Sequence, residues 1–198
     1  MIESELNVLA GIDFGAKLAG TTSMTILKDS KFSIHDCKKG EDADAWILEQ
    51  VERQAIKTVF IDAPLSLPLA YFDDKSNEFF YRKADAALGA MSPMFLGGLT
   101  ARAMKMKRLL EAQPIAVFET YPAALVRELF AHSIFYKKDI QGFRKELRVK
   151  TKAYDLPALP RFKSFHQVDS LLAWLSGYRH LNHQSIIHGS KQEGAIFI

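Results

Sequence analysis

Cysteine is nearly missing from this chain. Cys37 is the only one among 198 residues, so neither an intrachain disulfide nor a cysteine-built zinc site can form. A lone thiol fits a reducing compartment. No apolar run approaches the roughly 20 residues of a membrane span. The stretch Met1 to Glu5 carries acids in place of a basic, apolar-cored leader. The expectation is a cytoplasmic protein with no membrane partner. Charge of one sign is also scarce, with 26 Lys and Arg against 23 Asp and Glu for a net of +3. That balance excludes the dense positive charge of a nucleic-acid-coating protein and leaves phosphate partners open. Repeats, low-complexity tracts and linkers are absent, and the length suits a single domain, 1–198, with one sizeable core.

What is present is an unusual placing of acids. Three short apolar runs each end on a carboxylate: Val8 to Asp13, Lys57 to Asp62 and Ile115 to Glu119. The first has the near-continuous apolar character of a central strand covered on both faces. Gly20 to Lys28 and Lys31 to Cys37 alternate about a Lys28-Asp29-Ser30 turn, which predicts a three-stranded meander. Glu41 to Gln54 carries Trp46, Ile47 and Val51 at helical spacing. The run to Asp62 stops at Ala63-Pro64, where proline removes a ladder donor. With a helix between them, this strand should return parallel to the first.

From Ala63 to Gly98 the chain is irregular, with a helical stretch near Glu78 to Ala90. So long an excursion invites a lid or pocket role. A helix through Leu99, Ala103, Met106 and Leu110 leads to the strand candidate Pro114 to Thr120, and Tyr121-Pro122 opens another helix, to about Ala131. Lys137 to Lys152 is strongly basic. Ser164-x-x-Gln167 reads as a capping box for a helix to about Leu181, and Gly194 to Ile198 reads as a small edge strand.

Ligands of open α/β sheets collect outside the carboxyl ends of parallel strands, at the switch in strand order. If the strands ending at Asp13 and Asp62 are neighbours, these acids sit about one strand spacing, roughly 4.8 Å, apart. That matches the roughly 3.5 to 4 Å between the ions of a two-metal site. Asp169, near the start of the last helix, would join them, with His166 three residues earlier on the same face. Glu119 would reach in from one strand further out.

The strings GIDFGAKLAGTT, FIDAPLSLP, YRKADAALG, FETYP and HQVDSLLAWLSGY, in this order, resemble domain of unknown function family 429, whose members are regarded as predicted nucleases of the ribonuclease H-like fold. The resemblance spans nearly the whole chain. It implies an α/β fold with a five-stranded mixed sheet in the order 3-2-1-4-5, flanked by helices, with a helical insertion between strands 4 and 5. It also implies that Asp13, Asp62 and Asp169 stand where the wider superfamily keeps metal-binding acids. The last string departs from the pattern by having Gln167 and a single acid.

The leading expectation is therefore a metal-dependent nuclease that hydrolyses DNA or RNA by a two-metal mechanism. Asp13, Asp62 and Asp169 would hold Mg²⁺ or Mn²⁺, because hard divalent ions take oxygen ligands. Glu119 would act as a supporting catalytic acid. Arg82, oriented by Asp85, is a candidate for gripping a phosphate with its planar fork, and Arg102 and His166 are further substrate-binding candidates.

Blander readings stand beside these. Asp13 can cap the Gly15 amides and Asp62 can start an Asx turn. Glu119 can pair with Arg82 or Arg102, and Arg82 with Asp85 can be a surface pair. Arg102 and Lys105 can be a solvated face, the basic stretch either solvated or a positive lid, and Glu49 an extra acid or a solvated one. Two rival functions share the sheet. One is a nucleotide-binding or phosphoryl-transfer protein of the actin and sugar-kinase type, after Asp13-Phe14-Gly15 and Thr21-Thr22. The other is a non-catalytic domain that has lost an acid at Gln167.

Overall fold

The computed structural model of the protein describes residues 5–154 and 156–198. Its centre is strand β1 (Leu9–Asp13), whose first four residues are buried. Every residue of it has a neighbour on each side, antiparallel β2 (Ser23–Lys28) or parallel β4 (Thr58–Asp62), save Leu9, which is registered only with β4. The continuous apolar character of the sequence follows from this, since a central strand covered on both faces has no solvent side. β2 turns into β3 (Lys31–Asp36) through Asp29 and Ser30, both left-handed at φ 49° and 56°, as a tight hairpin between twisted strands requires.

Helix α1 (Ala43–Arg53) is capped by Asp42, whose carboxylate accepts from the amides of Asp44 and Ala45. It carries the chain back over the sheet, which is why β4 returns parallel to β1. After β4 the irregular excursion holds a 3-10 turn (Leu69–Tyr71) and two short α-helices, α2 (Lys83–Leu88) and α3 (Pro93–Leu96), before α4 (Gly98–Glu111). The stretch expected from Glu78 to Ala90 is thus shorter. It begins after Arg82 and stops at Gly89, which is left-handed at φ 57°.

β5 (Ala116–Thr120) lies parallel to β4, and α5 (Pro122–Phe130) starts with proline at its first turn. The basic stretch folds as α6 (Ile140–Thr151), which buries Phe143 and Leu147. It is a packed helix with a basic outer face. α7 (Phe165–Leu181) is capped by Ser164 through the Gln167 amide, while the Gln167 side chain accepts from the Lys163 amide. The reciprocal arm of the expected capping box therefore reaches one residue further back.

Among the described residues the sheet is mixed and has seven strands in the order β3-β2-β1-β4-β5-β7-β6. Five of them stand in the expected order 3-2-1-4-5. The count of five was too small: β6 (Ile187–Ser190) and β7 (Gly194–Phe197) form a further hairpin, and β7 joins β5 in parallel. The tail strand is accordingly an inner one, and the edge belongs to β6. The short, mostly exposed run IHGS of β6 lacks the apolar signal that marks a strand.

Helices cover both faces. On one, Trp46, Ile47, Met106 and Leu110 of α1 and α4 pack on Ile12, Met24 and Ile61. On the other, α7 lies across β1, β2 and β4, with Trp174 against Leu9, Leu27 and Phe60. Among the described residues no helix is long and apolar enough to cross a membrane.

Gly11 decides how close α7 can come. A Cβ there would lie 2.0 Å from the Trp174 amide nitrogen and 2.3 Å from the Ser170 carbonyl oxygen, both of them backbone. Only a residue with no side chain lets the helix rest on the strand. Gly11→Ala is expected to destabilise the protein by about 3 kcal/mol or more in chemical denaturation, since neither backbone can give way cheaply. A loss below about 1 kcal/mol would contradict the close approach.

Candidate metal centre

Strand register places the first two acids. Asp13 and Asp62 are direct partners across the parallel β1–β4 ladder, so their side chains leave the sheet at the same level. The loop beyond Asp13 is shaped by threonine: Gly15 donates its amide to Thr22 Oγ1 at 3.1 Å, and Ala16 donates to Thr21 Oγ1 at 3.2 Å. Asp13 is therefore not needed to cap Gly15, and its carboxylate is free to face the sheet edge. The third acid, Asp169, comes from the second turn of α7, which Gly11 has let down onto the sheet. One carboxylate oxygen from each of Asp13, Asp62 and Asp169 lies within 4.8 Å of the others.

Their partners are unequal. His166, one turn before Asp169, sets Nδ1 2.6 Å from Asp13 Oδ2. Tyr136 donates its hydroxyl to Asp169 Oδ1 at 2.7 Å, and Lys137 pairs its ammonium with Asp169 Oδ2. Lys137 reaches there from a left-handed backbone, φ 62°. The Asp62 carboxylate has neither a hydrogen bond nor an ion pair among the described residues, and it lines a cavity of about 330 Å³.

The electrostatics follow. Burial, then the charges of Asp13 and Asp169, hold the Asp62 carboxyl well above the ordinary carboxylate range, with Lys137 opposing. Burial pushes Asp169 up to about 6, against the pull of Lys137 and Tyr136. Burial and the neighbouring Asp169 raise the Tyr136 phenol, so it stays a hydrogen-bond donor. The hydrogen bond to Asp13 raises the His166 imidazole, outweighing its partial burial.

These residues suit a hard divalent cation. The cluster offers only oxygen donors, the mutual repulsion of its acids is incompletely offset, and one carboxylate has no partner. An ammonium already sits on Asp169, so this edge accepts positive charge. The cluster can hold a metal ion.

The other candidates lie elsewhere. Glu119 is buried and turned toward Arg82, whose Nη1 and Nη2 donate to its two oxygens at 2.7 and 2.5 Å. Arg82 also grips Asp85 through Nε and Nη2, at 2.9 and 2.6 Å. The Leu65 amide completes the Glu119 shell, and Asp85 accepts from the Arg82 amide. This is a buried ion triad, with Arg82 only 1% exposed, and so not the surface pair weighed above. Nor is the guanidinium open to a phosphate, because all its forks are taken. Burial holds the Glu119 carboxyl above its usual range despite Arg82, and the two carboxylates keep Arg82 charged.

Glu119 and Asp85 do border the cavity beside Asp62, so two members of the triad contribute to its wall. Arg102 pairs with Asp44, donates to the Gly15 carbonyl at 3.1 Å and stacks over Phe14. It braces the loop after Asp13 from outside the acid cluster. Glu49 is exposed on α1 and outside the cluster. Gln167, where a second acid was expected, donates to Asp36 Oδ2 at 2.6 Å and ties α7 to β3. Tyr136 and Lys137 were not singled out as site residues. Lys137 lay inside the basic run, but nothing marked it out from its neighbours, and Tyr136 had no signal at all.

Two expectations follow. The raised carboxyls bind more protons folded than unfolded, so their contribution to stability is complete below the ordinary value of 3.8 and is lost as pH rises through the folded values, about 6 for Asp169. Asp62→Asn should therefore raise the thermal midpoint of metal-free protein at pH 8 by a few degrees and change it little near pH 4. A lower midpoint at pH 8 would count against the buried repulsion. Arg82→Met strands two buried carboxylates and should cost about 3–5 kcal/mol in denaturant titration; a near-neutral result would mean that the triad is not a structural unit.

No protein-family model matches this chain, and no curated protein matches it either.

Proposed function

We propose that this chain is a metal-dependent phosphodiester hydrolase, a nuclease acting on DNA or RNA, built on a ribonuclease H-like sheet. The convergence of Asp13, Asp62 and Asp169 at the carboxyl ends of neighbouring parallel strands carries the reading. Strand order 3-2-1-4-5 within the larger sheet and the resemblance to domain of unknown function family 429 support it. The lone buried Cys37 fits the reducing cytoplasm as its place of work.

In this reading Asp13, Asp62 and Asp169 hold Mg²⁺ or Mn²⁺. When bound, such ions supply Lewis acidity at phosphoryl oxygens and acidify a water near neutral pH. The chain's own groups do the rest. Asp62, unpartnered in the metal-free protein, is the acid that gains most from a cation. Asp13 holds His166 by Nδ1 and so fixes the ring beside the acids, where it can store a proton and return it to a departing oxygen. Lys137 balances Asp169, and with half its side chain in solvent it would also be within reach of a substrate's phosphate charge. Tyr136, held protonated, fixes the Asp169 carboxylate by donating to its other oxygen.

Asp13→Asn keeps the size of the side chain and removes a ligand charge. It should lower Mn²⁺-dependent cleavage of oligonucleotides by more than the roughly 10–100-fold that loss of an outer partner costs, with an unchanged circular dichroism spectrum. Turnover like that of the wild type by a folded Asp13→Asn protein would end the proposal.

A further inference from the structure

The excursion between β4 and α4 exposes more large apolar surface than any other segment of the described chain. Phe95 is 64% exposed, Phe80 56% and Tyr81 40%. These three rings form a cluster: Phe95 lies 5.9 Å from Phe80 and 6.0 Å from Tyr81 between centroids. Exposed aromatics gathered in this way mark a binding surface more often than scattered apolar residues do.

The helix that carries Phe95 is a ridge between two hollows. On one side Leu96 and Met91 line the cavity of about 330 Å³ that opens at Asp62. Its volume falls in the range of small-ligand pockets, roughly 300–1,000 Å³, and its walls are largely apolar. On the other side Pro93 and Met94 line a groove of about 540 Å³ that also holds Lys105 and Arg108. Neither of these cations has an ion-pair partner among the described residues. The surface around this helix therefore combines an apolar pocket beside the acids, a cluster of tilted and edge-on exposed rings, and unpaired positive charge.

We infer that this surface receives single-stranded nucleic acid, with one unpaired base in the pocket beside Asp62 and others against Phe80, Tyr81 and Phe95. The inference rests on the phosphodiester reading of the acid cluster and narrows its substrate. Aromatic faces stack any base, while cations beside them take the phosphates; strands are held without sequence preference by this combination. A paired base cannot enter a side pocket without leaving its helix. The surface is therefore selective for unpaired strands or frayed ends over continuous duplex. Lys105 and Arg108, unpaired in the protein, would each neutralise a phosphate and release its counterions.

The test is fluorescence anisotropy of dye-labelled oligothymidylate in EDTA, so that no cleavage occurs, beside the same strand annealed to oligodeoxyadenylate. The wild type should bind the single strand more tightly than the duplex. Phe80→Ala and Phe95→Ala, both at exposed positions, should each weaken it by at least about fivefold. Lys105→Gln with Arg108→Gln should flatten the dependence of log Kd on log salt by about 1.4, from two phosphates at roughly 0.7 each.

Equal affinity for duplex, no binding of either probe, or undiminished binding by folded Phe80→Ala and Phe95→Ala proteins would overturn the inference. So would a dimer of wild type in sedimentation that these substitutions dissociate without changing oligonucleotide affinity, because the rings would then pair two copies of the chain. Mn²⁺ titration of the same proteins separates this from the metal reading. A protein that binds Mn²⁺ but holds strands without its rings defeats only this inference, whereas ring-dependent strand binding without Mn²⁺ uptake defeats only the metal site.

Discussion

Three carboxylates crowded onto one edge repel one another, and the architecture is organised around bearing that repulsion. Asp13 and Asp62 are side by side because β1 and β4 are parallel and in register, and Asp169 joins them because Gly11 lets α7 lie on the strand. Nothing in packing alone needs acids at these places. His166 and Lys137 offset part of the charge, while burial first, and the neighbouring acids after it, hold the carboxyls of Asp62 and Asp169 above their ordinary range. Perturbed acids in a cleft are a mark of functional sites, although structural ion networks perturb acids as well.

This chain contains both kinds. Glu119 and Asp85 are buried, as Asp169 is, yet both are satisfied by Arg82 through its guanidinium fork. Their network anchors the excursion to β5, and both carboxylates border the pocket. Asp62 has no such partner. The contrast between a closed triad and an open acid, both bordering one cavity, separates what holds the fold from what is left for chemistry.

Much of the sheet was legible in the sequence because a covered strand must be apolar and an exposed one must alternate. β1, β4 and β5 were each visible as short apolar runs, and β2 and β3 as alternating ones. The β6–β7 hairpin was less so: four residues with a glycine and a serine carry too little hydrophobic pattern, so the tail strand seemed to stand at the edge. Asp13 and Asp62 were legible for a topological reason, since neighbouring parallel strands that exit on carboxylates bring them to one end of the sheet, where the helix laid across that end adds Asp169. Partners contributed by loops were not. Nothing in the local pattern of Tyr136-Lys137 says that a left-handed turn will aim an ammonium at Asp169, thirty-two residues on. Glu119 could be read both as a site acid and as a partner of Arg82, and the second reading holds; a strand-end acid looks the same in sequence whether an arginine covers it or not.

The most direct measurement is an anomalous difference map from crystals grown with Mn²⁺. The account predicts a peak in contact with carboxylate oxygens of Asp13, Asp62 and Asp169, with the Lys137 ammonium withdrawn from Asp169. Density for manganese at some other place only, or an edge that keeps Lys137 on Asp169 and takes up no manganese, would contradict it.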